Sequence, residues 1–254
     1  MPKQRWLLLR GLGRQSAHWG AFVPQLQAAF PQIEVHCLDL PGTGRMTHQA
    51  SPNSIVAIVS LVRQQALVDG LLDRPCVLLG LSLGGMVAWQ WAQQFPQDIG
   101  RTVVINSSFA SLNPFYQRLR WQCYGRFAQL LLAPAGLARE RRIVQLVSNS
   151  SPVIQQATAV AWAAVHLRQP MSLATIVAQL QAAAGFRPAL SLPKGPVLLL
   201  NSLGDRLVAP ACSFAIQQQW QLPLHQHPTA GHDLPLDAPQ WVIERLSEVV
   251  GDRY

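Results

Sequence analysis

The chain has 254 residues, of which 49% are hydrophobic and only 13% are charged, against about 25% charged in a typical soluble domain. This length and composition suit one large domain with a well-filled core, and they exclude an intrinsically disordered chain. The formal net charge is +8, but the sequence has no run of like charges and no zinc-finger or helix-turn-helix pattern, so we expect no nucleic-acid partner.

The predicted elements alternate between strands and helices along most of the chain. Residues 6–9 form a short apolar run, and a glycine-rich segment, 10–13, follows it. Residues 54–72 carry apolar side chains at helical spacing. Further strands are predicted at 33–40, 76–79, 102–105, 197–200 and 222–227, with helices at 85–95 and 239–250. Such alternation predicts an α/β fold with a mainly parallel sheet and helices on both faces.

A Gly-x-Ser-x-Gly pattern, Gly80 to Gly84, lies between an apolar strand and a helix. This order suits a serine held in a sharp strand-to-helix turn, where a Cβ at the glycine positions would clash. The turn exposes the serine oxygen at the edge of the sheet and places the following N–H groups at a helix N-terminus, which favours negative charge. Ser82 is therefore the candidate nucleophile. Alone, the pattern would also fit an ordinary glycine-rich loop.

A helical insertion is predicted between residues 110 and 193, where no strand pattern occurs. Its predicted helices cover 114–132, 138–148, 152–167 and 173–183. The expected division is therefore a core of 1–109 and 194–254 with this insertion as a cap. Asn106 and Ser107, which follow the strand before it, are candidates for lining a pocket at the sheet edge.

The insertion holds nearly all of the excess positive charge, with one glutamate, Glu140, against eight arginines. One interpretation is a solvated helical surface. The other is a docking face for an acidic partner, such as an acyl carrier protein or a substrate carboxylate, because arginine binds carboxylates in a bidentate manner. The docking candidates are Arg118, Arg120, Arg126, Arg139, Arg141 and Arg142.

A serine nucleophile needs a base and a carboxylate that orients the base. His232 lies in a glycine turn just after the last predicted strand, and Asp205 lies in a glycine turn after the preceding one. Both turns are expected at the same sheet edge as Ser82, so the candidate triad is Ser82, His232 and Asp205. Asp233 is a weaker candidate for the carboxylate, because it adjoins His232 and could not easily reach its ring.

Five motifs in this order resemble the α/β-hydrolase superfamily over essentially the whole chain, and most of all small bacterial carboxylesterases of the pimeloyl-carrier-protein methyl ester esterase type. The motifs are Arg10-Gly-Leu-Gly13, Asp39-Leu-Pro-Gly-Thr-Gly44, Gly80-Leu-Ser-Leu-Gly-Gly85, Gly204-Asp-Arg-Leu-Val208 and Gly231-His-Asp233. The resemblance implies an oxyanion hole formed by the backbone N–H groups of Leu12 and Leu83. Arg10 departs from the family, which usually has histidine there, so its side chain must find a different partner.

The leading hypothesis is a cytoplasmic serine carboxylesterase that acts on short to medium acyl esters. The same three residues could serve a thioesterase, a carbon–carbon bond hydrolase or a cofactor-free synthase or lyase. A non-catalytic ligand receptor is a further alternative, which the complete set of three residues argues against. We expect no cofactor and no metal, since His225 and His227 lack further ligands at suitable spacing. His18 is interpreted as a packing residue.

Two further features bear on location. The N-terminal apolar run is too short for a secretory signal and no 18-residue apolar span occurs, so no membrane span is expected. The cysteines are scattered without Cys-x-x-Cys spacing and are expected to be reduced thiols rather than disulfides.

Overall fold

A parallel sheet forms the centre of the fold. The computed structural model describes residues 3–251, with the backbone alone for Leu131. Within these residues, six strands pair in parallel in the order β2-β1-β3-β4-β5-β6, which confirms the expected sheet. The strands are β1 (Gln4–Leu9), β2 (Ile33–Leu38), β3 (Cys76–Leu81), β4 (Ile99–Ile105), β5 (Val197–Ser202) and β6 (Leu224–His227).

The helices cover both faces of this sheet and fill the connection between β4 and β5. Between residues 3 and 251 they are α1 (Phe22–Ala29), α2 (Ile55–Val68), α3 (Leu83–Gln94), α4 (Phe115–Arg118), α5 (Tyr124–Leu132), α6 (Leu137–Val147), α7 (Pro152–Arg168), α8 (Leu173–Gly185), α9 (Ala211–Trp220), α10 (Leu234–Asp237) and α11 (Pro239–Gly251). Short 3-10 helices occur at Ser16–Trp19, Gly44–Met46 and Trp121–Cys123.

Two hydrophobic clusters lie on opposite faces of the sheet because side chains alternate along each strand. In β1, Leu7 and Leu9 belong to one cluster, whereas Trp6 and Leu8 belong to the other. Helix α3 packs on the first face and helix α1 on the second. Because both faces are covered, inner strands such as β3 and β5 are buried along their whole length and are rich in apolar residues, which is why the sequence predicts them.

The strand order locates a crevice before any functional residue is considered. The chain leaves β1 toward β2 at one edge and leaves β3 toward β4 in the opposite direction. In open α/β sheets, ligands bind outside the carboxyl ends of the strands where such a reversal occurs. The residues that follow β1 and β3, beginning with Arg10 and Ser82, therefore border the expected crevice.

The helices differ from the prediction in two places. Residues 114–132 do not form one helix, because the backbone N–H of Arg120 donates to the carbonyl oxygen of Leu207 at 2.8 Å and the chain between α4 and α5 bends to make this bond. Helix α9 was not predicted at all, although Cys212, Ile216 and Trp220 recur every fourth residue.

The domain division stays a prediction. Helices α4 to α8 all lie between β4 and β5, where the insertion of 110–193 is expected. Residues 1–2 and 252–254 of the predicted core lie outside the described residues.

Candidate active site

Ser82 occupies the strained turn that its motif predicts. It directly follows β3 and has φ 57° and ψ −116°, a backbone conformation that residues other than glycine rarely adopt. Its N–H donates to the carbonyl oxygen of Ile105 at 2.8 Å, which fixes the turn against the neighbouring strand. A Cβ on Gly80 would overlap the carbonyl of Gly84, and a Cβ on Gly84 would overlap that of Leu9. The turn therefore requires both glycines.

His232 and Asp205 form a buried hydrogen-bonded pair. The distance between His232 Nδ1 and Asp205 Oδ2 is 2.7 Å, and the two residues are 5% and 1% exposed. The other carboxylate oxygen, Oδ1, accepts the N–H groups of Leu207 at 2.7 Å and Val208 at 2.9 Å. With both oxygens occupied, the carboxylate is fixed in the orientation that a donating His232 Nδ1–H requires.

Asn106 and Ser107 support this arrangement from the end of β4. Asn106 has a positive φ of 46°, its Oδ1 accepts the N–H of Ser202 at 2.9 Å, and its Nδ2 donates to the carbonyl oxygen of His232 at 2.8 Å. The Ser107 hydroxyl donates to the carbonyl oxygen of Ser82 at 2.9 Å. Both residues also line a small cavity next to Ser82.

The loop after β1 lies against the serine turn. A Cβ on Gly11 would be 3.2 Å from Ser82 Cβ, so the loop backbone passes directly beside the serine. Gly13 donates its N–H to Gln179 Oε1 at 2.9 Å, which ties the loop to α8. Leu12 lies between them in the cavity wall. Leu83 begins α3, in the first turn, where helix N–H groups have no partner within the helix.

Ser82 and His232 line one cavity, which has a volume of about 130 Å³ and is partly open to solvent. The wall opposite the sheet comes from helices of the insertion and is largely apolar, as in Leu130, Ile143 and Trp162. A concave, mostly apolar site with a few convergent polar groups is the usual form of a small-molecule site.

A polar cluster in the cavity wall was not predicted from the sequence. Arg14 donates to Glu140 Oε2 at 2.8 Å, and its guanidinium lies 4.7 Å from the centroid of the Trp162 ring. The His18 ring makes a T-shaped contact with the same ring, with 5.3 Å between the two centroids. Burial lowers the pKa of Arg14, opposed by Glu140. These contacts join the loop after β1 to α6 and α7. His18 therefore lines the cavity as well as packing against Trp162.

Both ring nitrogens of His18 have hydrogen-bond partners. Arg14 Nη1, which can only donate, lies 3.1 Å from His18 Nε2. His18 Nδ1 lies 3.0 Å from the backbone nitrogen of Gln15 and 3.2 Å from the carbonyl oxygen of the same residue. Burial, with smaller contributions from Arg14 and Arg10, lowers the pKa of His18 to about 2. His18 is therefore neutral at pH values near 7.

Arg10, the departure from the expected motif, has Asp233 as its partner. Arg10 Nη1 donates to Asp233 Oδ1 at 3.1 Å, and Nη2 makes a second bond to Oδ2. Asp233 is thus engaged away from the ring of its neighbour His232, as its position in sequence suggests.

The insertion contacts both loops that carry His232 and Asp205. The side chain of Asn149, in the link between α6 and α7, donates to the carbonyl oxygens of Gly204 and Thr229, each at 2.9 Å. Val147 accepts the N–H of Asp233 at 2.8 Å. The geometry of these two loops is therefore coupled to the helices above them.

The arginines of the insertion do not share one surface. Arg118 is only 8% exposed, and its guanidinium donates to the carbonyl oxygens of Ala184 at 2.8 Å and Ala183 at 2.5 Å. The prediction that Arg118 docks a partner is therefore wrong, because its charge is directed into the protein to close the end of α8. Arg120 is half-buried and donates to the main-chain oxygen of Asp205 at 2.7 Å.

The other docking candidates lie nearer to solvent. Arg139 is half-buried in the cavity wall. Arg126, Arg141 and Arg142 are exposed. Arg126 and Arg142 line a polar groove together with Arg206, and Leu130 and Leu146 line both this groove and the cavity that Ser82 enters. The groove therefore lies against the outer side of the cavity wall.

The remaining predicted features concern metals and thiols. In the described part of the chain, no group of three or more histidine, cysteine or carboxylate side chains is arranged to hold a metal ion. His225 contacts Glu248 at 2.9 Å. All four cysteines are free thiols. Burial raises the pKa of Cys37 and of Cys212 to about 12, so neither competes with Ser82 as a nucleophile at neutral pH.

None of the helices between residues 3 and 251 combines the length and the apolarity needed to cross a lipid bilayer.

The chain is similar in sequence to known proteins. The sequence model of the alpha/beta hydrolase family matches residues 6–245. The pimeloyl-[acyl-carrier protein] methyl ester esterase of Nitrosomonas europaea is 30% identical over 250 residues, which cover 93% of this chain and 92% of that protein. The esterase of the same name from Edwardsiella ictaluri is 36% identical over 42% of this chain, and that match spans only 37% of the relative's length.

Solved structures share the fold at lower identity. A thermophilic esterase from Thermogutta terrifontis superposes with a TM-score of 0.74 at 18% identity, covering 98% of this chain and 89% of that one. This likeness shows that the two proteins share a fold.

Proposed function

Since the chain belongs to the alpha/beta hydrolase family, we propose that it is a serine esterase that cleaves carboxylic esters through Ser82, His232 and Asp205. The observation that carries the proposal is the 2.7 Å hydrogen bond between His232 Nδ1 and Asp205 Oδ2, formed beside the cavity that Ser82 enters. A base held by a buried carboxylate and a strained serine in one cavity are the parts that acyl transfer needs.

The proposed reaction has two halves. In the first, Ser82 Oγ attacks the ester carbonyl carbon while His232 Nε2 takes the hydroxyl proton, and His232 then gives that proton to the departing alcohol oxygen. In the second, water attacks the acyl-enzyme, with His232 again taking and returning one proton, and the free acid leaves. Asp205 keeps the Nδ1–H tautomer throughout.

The proposed oxyanion hole consists of the N–H groups of Leu12 and Leu83. The position of Leu83 at the start of α3 supports it, because the helix dipole adds to the donor. The passage of Gly11 beside Ser82 supports the other donor, since it brings the loop after β1 next to the reacting atom. Each donor of this kind contributes about 3 kcal/mol to lowering the barrier.

The substrate class is proposed from the relatives and from the cavity. Two relatives are named as esterases of a methyl ester on an acyl carrier protein, and the cavity offers an apolar wall for an acyl chain. We therefore propose a carrier-bound acyl methyl ester as substrate. The groove with Arg126 and Arg142 is the proposed docking site for the acidic carrier, because it adjoins the cavity wall.

The proposal includes a cytoplasmic location and a reaction without metal or cofactor. Free cysteines fit a reducing compartment. The three proposed catalytic residues supply the nucleophile, the base and its orienting acid, and the proposed reaction uses no metal or cofactor.

The test is the variant Ser82→Ala. Turnover of a p-nitrophenyl ester and labelling by a fluorophosphonate should both be lost, because no nucleophile remains, while the melting temperature stays near that of the wild type. The matched control is Ser60→Ala, which removes an exposed hydroxyl on α2 that bonds only within its own helix. Unchanged turnover in Ser82→Ala would refute the assignment. A wild-type protein that resists labelling would instead indicate a ligand receptor.

Carrier-bound and free acyl esters of graded chain length, each compared with the matching thioester, would then define the substrate.

A further inference from the structure

The ion pair between Arg10 and Asp233 is buried beside the proposed catalytic residues. Each partner is 2% exposed. Two parallel N–H to oxygen bonds join them, and the guanidinium also lies 4.8 Å from the centroid of the Trp19 ring. The planar guanidinium bonds both carboxylate oxygens and stacks on a ring. It therefore fixes the distance and the mutual orientation of the backbone segments that carry Arg10 and Asp233.

Stability alone is a weak explanation for such a pair. Removing both charges from water costs more than their attraction commonly returns, and apolar replacements of similar volume are often as stable or more so. Arg10 Nε also lacks a hydrogen-bond partner among the described residues, which adds to the cost of burial. A buried pair that gains so little stability can instead be retained for the geometry it imposes.

The pair joins the two segments whose separation matters for the proposed reaction. Arg10 directly precedes Gly11 and Leu12, the loop with one proposed oxyanion donor. Asp233 directly follows His232, the proposed base. The two residues are 223 positions apart in sequence, so no local structure fixes their spacing.

Asp233 is also fixed at its backbone. Its N–H donates to Val147 at 2.8 Å, and its carbonyl accepts the N–H of Leu236 at 3.0 Å at the start of α10. A rigid carboxylate on one side and a guanidinium stacked on Trp19 on the other leave the linked segments little freedom.

We propose that Arg10 and Asp233 are positioning residues that hold the base His232 in register with the oxyanion donor Leu12. This inference rests on the proposed function of the site. Neither side chain is expected to exchange a proton with substrate. Their effect is on the geometry in which His232 and the Leu12 N–H act together on one tetrahedral intermediate.

The test compares wild type with the double variant Arg10→Met/Asp233→Leu, which removes both charges and keeps apolar bulk. Melting temperature, kcat and KM for a p-nitrophenyl ester, and the rate of fluorophosphonate labelling are measured together. We expect a melting temperature equal to or above that of the wild type, with kcat and labelling rate reduced by roughly 10²-fold, the loss typical of an active-site group displaced by about 1 Å. KM should change little, because the apolar cavity is unaltered.

A double variant that folds and retains wild-type kcat and labelling rate would overturn the proposal. If the double variant does not fold, Arg10→Lys is the second test, because it keeps the positive charge but loses the two parallel hydrogen bonds to Asp233. A reduced kcat at unchanged KM would support the positioning role, and a wild-type kcat would refute it. Failure of the proposed function would look different, since the wild-type protein itself would then neither label nor turn over the ester.

Discussion

At the scale of single residues, His18 shows how a neutral histidine is maintained beside two arginines. Its ring is buried against Trp162 and receives a hydrogen bond from Arg14. Burial and the nearby positive charges both disfavour the imidazolium, which lowers the pKa of His18 to about 2. A proton on this ring would place like charges together in the cavity wall, so protonation of His18 destabilises the folded structure.

This residue predicts a defined loss of stability in acid. Below pH 6.5, the ordinary histidine pKa, His18 binds a proton in the unfolded chain but not in the folded one. The free energy of unfolding should therefore fall by about 1.4 kcal/mol per pH unit from this group as the pH drops from about 6 to 4. His18→Gln should show a shallower slope by that amount in urea titrations across this range.

The control for this prediction is the same pair of proteins above pH 8. There His18 is neutral in both states, and the difference in unfolding free energy between wild type and variant should no longer depend on pH. Equal slopes for the two proteins in acid would show that the ring can accept a proton without unfolding.

At the scale of elements, the side chain of Gln179 bonds helix α8 to two loops of the core. The residue is completely buried, with 0% exposure. Its Oε1 accepts the N–H of Gly13 and its Nε2 donates to the carbonyl oxygen of Pro41 at 3.3 Å. One amide thus satisfies a donor and an acceptor on two different loops. Both loops would be left with unpaired buried groups without it.

Replacing Gln179 with Leu should lower the free energy of unfolding by about 1–3 kcal/mol, because the Gly13 N–H and the Pro41 carbonyl lose their partner in a buried site. The measurement is the midpoint of urea unfolding. Gln181→Leu is the matched control, since Gln181 is an exposed residue of the same helix and surface changes of this kind are usually worth less than about 0.5 kcal/mol. Equal midpoints in the two variants would contradict the anchoring role.

The elements themselves could largely be predicted from the sequence. Strands such as β3 are apolar throughout because both faces of the sheet are covered, and the glycine turn after β3 requires residues with no Cβ. Helix α9 carried a usable signal in its four-residue spacing. The break after α4 did not, because its cause is a hydrogen bond from Arg120 to Leu207, which no local pattern records.

At the scale of the whole molecule, the excess positive charge is concentrated in the insertion, and the structure separates it into distinct parts. Arg118 and Arg120 bond to main-chain oxygens inside the protein. Arg126 and Arg142 are exposed in the groove beside the cavity. Only charges of the second kind can attract an acidic partner over a distance.

Salt should therefore affect carrier-bound and free substrates differently. For a methyl ester on an acyl carrier protein, kcat/KM should fall between about 0.01 M and about 1 M salt, as the Debye length shrinks from about 30 Å to about 3 Å. Arg126→Gln/Arg142→Gln should lower kcat/KM at low salt and weaken the salt dependence. A p-nitrophenyl ester should show neither effect.

The matched control is Arg168→Gln/Arg187→Gln, which removes the same charge from exposed positions elsewhere in the insertion. An effect of equal size in both double variants would mean that net charge, rather than the groove, attracts the carrier. Rates on the carrier-bound ester that do not respond to ionic strength would exclude electrostatic docking.

The limit of sequence reasoning at this scale is the pairing of distant residues. The candidate triad could be named because each member belongs to a local motif at a strand end. The partner of Arg10 could not, since it lies 223 positions away, and neither could the contact of Gln179 with Gly13 across 166 positions. Burial of Arg118 was unpredictable for the same reason. Its acceptors are main-chain carbonyl oxygens, which are present in every residue type and so leave no pattern in the sequence.

The hydrogen bonds between the insertion and the loops beneath it restrict how new specificities can arise in this protein. Most of the cavity wall opposite the sheet belongs to residues 110–193, so exchanging that segment for one from another hydrolase would replace most of this wall at once. The donor segment would, however, have to supply an amide in place of Asn149 and another in place of Gln179, because these bond to the loops with Asp205, His232 and Leu12. Point changes at apolar wall positions such as Ile143, which leave those bonds intact, are the easier evolutionary path.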